Sequence, residues 1–569
     1  MLRSRSPCVF WLSVVSSFVI VACAAGAESP MATLPAAPAV AGFLGDGSGW
    51  FRNCNPPTQW DEASGKGILW KTPLPNWGNS TPIAVNGRVF VTCEGGWQGV
   101  WPMLLCVDAA TGKVLWQCEL DHLDQLPDGR EGRVREAWRE YRLFVRDAIR
   151  CRYAYQHEGK KGEALKWWKE HGCQAGIESN EVLKAFGRGD KDERFAAIEQ
   201  LLKQAGLGME GYYPSGCTTV GRTFPTPVSD GMRVYVVTGF NAVFCFEMDG
   251  RLAWKKWFGL PARKKGTDEV NHTWFTHSPL LIGDRLITTV DLVGRCLDKN
   301  SGKTLWESHY VDLSDFPTRG LKHAHFVKYA TGSPRHLVVD GTDVLIVSPG
   351  QVLRLADGKV LTPNASMPNL KYCGSTHDGR SVVYCYSWEN NKGHYSDSPA
   401  YTKTIVIGNY ALTAVGLSLD GLDAAKTKVV FDVPHQNSNT GGLVYRDGLL
   451  FGCLGDALKV WDARTGTEVK SVATGVGAPA HHVVAAGDYV YVLNKTGRCA
   501  VLKFDKTAAP AAVNTLIPAP HEGQKLEQQA CQSGKKDWDY EPFTASLPFF
   551  EGSRMYIRSQ DYLYCIGEK

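Results

Sequence analysis

The sequence predicts an all-β chain: an eight-bladed β-propeller of four-stranded blades, closed by pairing of the N- and C-terminal strands, with an inserted α-helical segment. Three observations lead there. First, a strand, tight turn and strand recur: Cys106 to Trp116 carries Asp108, Thr111, Gly112 and Trp116, and Cys296 to Trp306 repeats the pattern with Asp298, Ser301, Gly302 and Trp306. A shortened copy runs from Phe246 to Trp254, and Asp357 to Leu361 and Trp461 to Val469 keep the turn without the Trp. Second, the spacing from Gly250 to Gly302 to Gly358, and twice that to Gly466, gives a period of roughly 50–55 residues. Third, Val, Ile and aromatic residues alternate with Gly, Asp and Asn turns, as short strands require.

Each unit reads as strands A to D. Strand A follows a Ser/Thr-Pro pair, as at Thr81-Pro82, Thr226-Pro227 and Ser278-Pro279; a hairpin leads to B, a loop to C, and the Asp-x-x-Thr-Gly turn to D. Such a unit cannot bury both faces alone and must stack on neighbours. Units begin near Thr81, Thr226, Ser278, Ser333, Ser375, Gly441, His481 and Ser546. The last supplies only A, B and C before the chain ends. Gly67 to Thr72 resembles a D strand, and its pairing with Tyr562–Ile566 would close the ring and remove two exposed edges.

The expected organisation is a signal peptide over 1–27, a closing strand and first blade over 43–120, a helical insertion over 121–214, and blades two to eight over 215–569. Arg3 and Arg5 precede an apolar run from Val9 to Val21 and a small-residue cleavage site at Ala25-Gly26-Ala27, which predicts export to the periplasm or the cell exterior. Ile20-Val21-Ala22-Cys23 supports a competing reading, a lipobox that leaves a lipoprotein tethered at Cys23. No other apolar stretch is long enough to span a bilayer, so no transmembrane segment is expected in the mature chain. In the insertion, Val134, Trp138, Tyr141, Val145 and Ile149 mark one helix face; Leu165 with Trp168, and Phe195 with Ile198, Leu201 and Leu202, suggest others. It reads either as an elaboration packed on the propeller or as a lid or docking arm.

A net charge of +4 gives no reason to expect nucleic acid or an anionic membrane as the main partner. Of 17 cysteines, Cys106, Cys296, Cys499 and Cys565 fall at similar strand positions, which suits small buried hydrophobes better than a disulfide framework. There is no Cys-x-x-Cys-His, no Gly-x-Ser-x-Gly, no His-Glu-x-x-His and no phosphate-binding Gly-rich loop after a strand.

The turn unit resembles the tryptophan-docking motif of pyrroloquinoline-quinone (PQQ)-type propellers, Ala-x-Asp-x-x-Thr-Gly-Lys-x-x-Trp, with Cys106 and Cys296 in place of the leading Ala. The resemblance covers nearly the whole mature chain outside the insertion. It implies that Trp116, Trp254 and Trp306 pack between blades against the neighbouring turn. Two functional branches are similar in fold. The PQQ-dependent alcohol dehydrogenases carry a vicinal Cys-Cys disulfide over the cofactor, an Asp base and a Ca²⁺ site of Glu, Asn and Asp; here no two cysteines are adjacent and no motif places the other groups. The other branch is similar to the non-catalytic propeller lipoprotein of outer-membrane protein assembly.

With strand A at the axis, the C-to-D turns lie on one face and the D-to-A and B-to-C connections on the other. The insertion, Val311–Gly332, Glu94–Met103 and Glu389–Tyr401 all enlarge that second face. Histidines gather there. His277 and the pair His481 and His482 precede strands A four units apart, facing each other across the channel mouth of an eight-fold ring, while His323, His325 and His435, with Trp274 for stacking, lie in D-to-A loops. These seven residues form the candidate cofactor site; they either line a wet channel or hold a transition metal or act as acid/base groups. The sequence reading is a non-catalytic binding or scaffolding module of the cell envelope, with envelope proteins or a small ligand on the elaborated face. The alternative is an oxidoreductase using PQQ or a histidine-held metal.

Overall fold

The structure, a computed structural model, describes residues 40–95, 101–126, 129–140, 151, 154–155, 159–170, 223–259, 277–290, 293–309, 333–347, 351–361, 374–377, 381–389, 410–418, 428–434, 443–477, 480–517 and 546–568. These form an all-β propeller with seven blades of four strands, which corrects the expectation of eight such blades. We number the seven I (Ile83–Glu119), II (Val228–Trp257), III (Leu280–Ser308), IV (Gly374–Pro434), V (Leu443–Ala473), VI (Ala480–Thr515) and VII (Phe549–Ile566, completed by Ile68–Pro73). Between III and IV, Arg335–Arg354 makes a three-stranded sheet. Among the described residues its fourth position holds the bridge between Leu353 and Val360, with Leu361 N–H donating to Val352 O and Arg354 N–H to Lys359 O.

Helical content is small, which corrects the weight given to the insertion. Among the described residues it amounts to positions 131–140, scattered positions up to 155, Lys161–Glu170, a 3₁₀ turn at Leu123–Gln125 and a 3₁₀ position at Val290. No described helix is long and apolar enough to cross a membrane. Val134 and Trp138 are buried as expected, whereas Leu165 is 41% exposed; Tyr141, Val145, Ile149 and Phe195–Leu202 lie outside the described residues.

The two ends of the chain meet in blade VII. Ile68–Pro73 lies antiparallel on Tyr562–Ile566, from Ile68 opposite Ile566 to Pro73 opposite Tyr562. Inner strands of neighbouring blades touch at VII–I, II–III, IV–V and V–VI. Tyr491 of blade VI meets Phe550 of blade VII with ring centroids 4.7 Å apart. Middle strands such as Arg88–Cys93 and Met103–Asp108 are buried along nearly their whole length, and outer strands such as Val114–Glu119 alternate exposed and half-buried.

The repeated turn joins one blade to the next. Asp108 accepts from the Thr111 amide (2.8 Å) and hydroxyl (2.7 Å), and Asp298 treats Ser301 the same way (2.8 and 2.7 Å). The glycine that follows has positive φ, and a Cβ there would strike the Trp of the preceding blade: Trp70 at Gly112, Trp116 at Gly250, Trp254 at Gly302 and Trp306 at Gly358. Each Trp Nε1 donates to a carbonyl of that neighbour: Ala109 (3.0 Å), Met248 (2.9 Å), Lys299 (2.9 Å) and Leu355 (3.0 Å) respectively. This is the docking role that the motif implies. All seven D strands carry a one-residue register shift, and in blades I and III the extra residue is Leu115 or Leu305, immediately before the Trp. The bulge twists the strand so that the next side chain swings onto the neighbouring turn.

Candidate functional site

The mouth of the axial channel, at the end bearing the D-to-A and B-to-C connections, is built from equivalent positions in successive blades. Ile83 faces Phe90, Leu280 faces Ile287 and Phe549 faces Tyr556. Counting outward, Ser80, His277 and Ser546 share one position, and Thr92, Thr289 and Arg558 share another. In blade I the Thr92 amide and hydroxyl donate to Ser80 Oγ (3.2 and 2.8 Å). In blade III the buried His277 places Nδ1 on the Thr289 hydroxyl and 3.1 Å from the Thr289 carbonyl. An imidazole has replaced a hydroxyl in the same local lock.

Just inside this layer the blades are linked by a girdle of hydroxyls. Leu547 N–H donates to Thr81 Oγ1 (3.2 Å), Thr81 N–H to Thr226 Oγ1 (3.2 Å), Thr226 N–H to Ser278 Oγ (2.9 Å), and Ser278 N–H to Ser333 Oγ (3.1 Å). The Ser/Thr-Pro signature now has a physical reason. Proline cannot donate, so the preceding amide is the last one before strand A, and the next blade supplies its acceptor.

At the closing seam the mouth holds a buried polar cluster that the sequence reading missed. Arg558 has no exposed surface; it donates to the carbonyls of Thr92, Ser559 (3.1 Å) and Gln560 (3.4 Å). Gln560 donates to Asn79 Oδ1 (2.9 Å) and accepts from the Gly78 amide (3.3 Å). A Cβ at Gly78 would lie 2.7 Å from Arg558 Nη1, so the guanidinium needs that glycine. The buried Glu94 accepts from the Thr223 amide and hydroxyl, both at 2.6 Å, which brings in the lead to blade II. Burial lowers the Arg558 pKa below its ordinary value, and burial likewise raises that of Cys93 beside it. The available signal was the polar run Arg558-Ser559-Gln560-Asp561 between two apolar strands.

The start of the insertion is docked on the same end by aromatic packing. Trp138 stacks on Trp101 at 6.2 Å and meets Phe240 edge-on at 6.4 Å. His122, also buried, lies 5.5 Å from Phe240 and 5.3 Å from Trp257, whose Nε1 donates to Phe240 O at 3.1 Å. Lys255 of blade II donates to the Asp121 carbonyl (3.0 Å) and pairs with Asp124 at 2.7 Å. Positions 131–140 are thus packed on blades I and II.

Of the candidate residues, His277 and His482 are described with their side chains, and both are buried. His482 stands at the Thr81 position of blade VI, four residues back from the hairpin as Thr81 is in blade I. His481 is the bulged residue beside it. Their placement across the mouth was argued from eight equal blades, a count that does not stand. His323, His325, His435 and Trp274 lie outside the described residues. Among the described residues there is no group of three or more His, Cys, Asp or Glu that could hold a metal ion. The ten described cysteines are free thiols. Cys106, Cys245, Cys296 and Cys565 stand opposite Phe90, Tyr235, Ile287 and Tyr556 in the neighbouring strand, filling the space that a large residue leaves.

A seam-closed ring of four-stranded blades with Trp-docked turns defines a quinoprotein-like propeller. The chain is similar to the PQQ-like β-propeller family. The matching family model, described as outer membrane protein assembly factor BamB, covers residues 58–159 and 203–364. Among solved structures, the chain is similar to BamB from Moraxella catarrhalis (12% identity, 60% of this chain and 81% of that one, TM-score 0.36). It is also similar to the quinohemoprotein alcohol dehydrogenase of Comamonas testosteroni (11%, 91% and 79%, TM-score 0.42) and to a europium-containing methanol dehydrogenase (9%, 93% and 98%, TM-score 0.45). No curated protein matches the sequence.

Proposed function

We propose that this chain is an exported PQQ-like propeller that acts as a non-catalytic binding or scaffolding module in the cell envelope, with the elaborated face as its contact surface. One observation carries the reading: the polar groups named at the mouth are engaged in holding the ring together, between blades or within a blade corner. The girdle hydroxyls accept neighbouring amides, Arg558 ties carbonyls across the closing seam, and His277 locks its own blade corner. A mouth fixed in this way offers a rigid rim, and the aromatic docking of positions 131–140 broadens it into a surface. The family model's description as an outer-membrane assembly factor and the Arg3-to-Ala27 leader support the envelope setting. Cys23 is the proposed tether if the lipobox is the site processed.

Crosslinking in intact cells, followed by fractionation, tests this. Envelope proteins should be recovered with the wild-type chain and lost when exposed residues within 131–170 are changed to opposite charge. The purified protein, given PQQ and Ca²⁺, should show neither quinone absorption nor dye-linked alcohol oxidation. A quinone spectrum with turnover, or a stoichiometric metal that disappears when His277 and His481 are both replaced, would overturn the reading in favour of an oxidoreductase.

A further inference from the structure

The N-terminal segment ahead of the closing strand touches inner strands on opposite sides of the ring. Ala41 exchanges both backbone bonds with Ser229 of blade II, each 2.8 Å. Phe43 lies under the Arg335 guanidinium of the three-stranded sheet (5.7 Å), and a Cβ on Gly47 would come within 3.0 Å of Arg335 Nη1. Gly49 abuts Val444 of blade V. Trp50 and Phe51 then add a parallel strand to the inner edge of blade VI, opposite Ala485 and Ala486. Trp50 Nε1 donates to Gly487 O (3.0 Å), and its ring packs on Phe504 (5.3 Å) and under Arg446 (5.1 Å). Phe51 reaches blade VII, 5.0 Å from Phe549 and 5.4 Å from Phe550.

A single stretch of chain that meets blades II, V, VI and VII and the sheet between III and IV must cross the axis. The end at which it crosses is also fixed. Ser229, Ala485, Ala486 and Gly487 lie at or beside the A-to-B hairpins, the end that carries the Asp-x-x-Thr-Gly turns. The conformation is particular: Leu44, Gly45, Gly47 and Gly49 all have positive φ, so this Gly-rich run is shaped for its path and is more than a passive linker.

We infer that residues 41–51 are a built-in axial plug that seals the channel at its turn end. The propeller is then a one-ended funnel, and anything bound on the axis enters from the elaborated face. This inference stands whether or not the scaffold reading holds.

Hydrogen exchange of the full-length protein, read by mass spectrometry, tests it. The amides of Ser229, Ala485 and Gly487 donate to plug carbonyls at Ala41, Gly49 and Phe51. They should be protected in the wild type. In Gly47→Val and in Trp50→Ala they should exchange at least about tenfold faster, while core strands at 104–107 and 563–566 keep their protection. Unprotected amides in the wild type, or unchanged rates in both variants, would overturn the plug. If both variants lose protection throughout, native-state chymotrypsin on the unaltered chain decides. Resistance after Phe43, Leu44 and Trp50 supports a seated plug, and rapid cutting there refutes it.

Discussion

Gly302 shows how one residue can belong to two blades. It gives its own turn a positive φ, and its bare Cα leaves room for Trp254, which a Cβ would approach to 2.6 Å. The sequence made this glycine legible as a turn former; the neighbouring indole came only with the family motif. The cysteines were read correctly as small core residues, and their environment carries a consequence for pH. Burial pushes the thiols of Cys106 and Cys565 up to about 12 and that of Cys296 to about 11. A raised pKa means that the neutral thiol is favoured by the fold. The resulting stability is complete below the ordinary thiol value of about 8.5 and is lost as pH rises toward about 12. Urea melts from pH 7 to 11 should therefore show a falling midpoint, accompanied by late labelling of these three thiols. Prompt stoichiometric labelling of all three at pH 8 in the folded state would contradict their placement.

At the scale of the element, the D strand explains both a success and a failure of the sequence reading. Leu115-Trp116 and Leu305-Trp306 put two apolar residues side by side, which breaks simple alternation; the bulge resolves it by exposing the Leu and docking the Trp. The failure was the blade count. Asp357-Gly358 keeps the turn and receives Trp306 from blade III, yet among the described residues only a bridge follows it. The motif therefore reports the Trp before it as much as the strand after it. A second signal went unread. Arg88, Arg285 and Arg554, each just after an A-to-B hairpin, donate to the same carbonyl as the docked Trp: Met248, Leu355 (2.9 Å) and Ala109 (2.8 Å). Arg233 reaches the adjacent Asn300 carbonyl at 3.3 Å. Arg285→Met should keep Trp306 in place but cost about 1–2 kcal/mol in urea denaturation, the worth of one charge-assisted bond. A wild-type midpoint would mean that the indole alone makes the lock.

At the scale of the molecule, the two chain ends complete one blade, so the ring has no free sheet edge at its seam. That closure could be read from Gly67–Thr72 because a missing strand leaves a visible gap in a repeat. The polar cluster at the mouth could not, since Arg558 meets Thr92 and Gln560 meets Asn79 only after the ring has closed. The girdle is tested by Thr226→Val, which keeps the shape but leaves the Thr81 amide without its acceptor. A loss of about 1–3 kcal/mol is expected for that buried donor. Exchange should quicken at Thr81, while the Thr226 amide, still bonded to Ser278, stays slow. Equal loosening of both amides would refute a seam-by-seam linkage.

That last contrast reflects a polarity of the whole ring. The girdle amides, the docked indoles and the hairpin arginines all reach from a blade to its successor: Thr81 and Trp116 from I to II, Thr226 and Trp254 from II to III. In these three devices each blade supplies the donor and the blade ahead supplies the acceptor. Damage to one turn should therefore release the blade upstream and spare the one downstream, so that loosening travels around the circle against the direction of the chain.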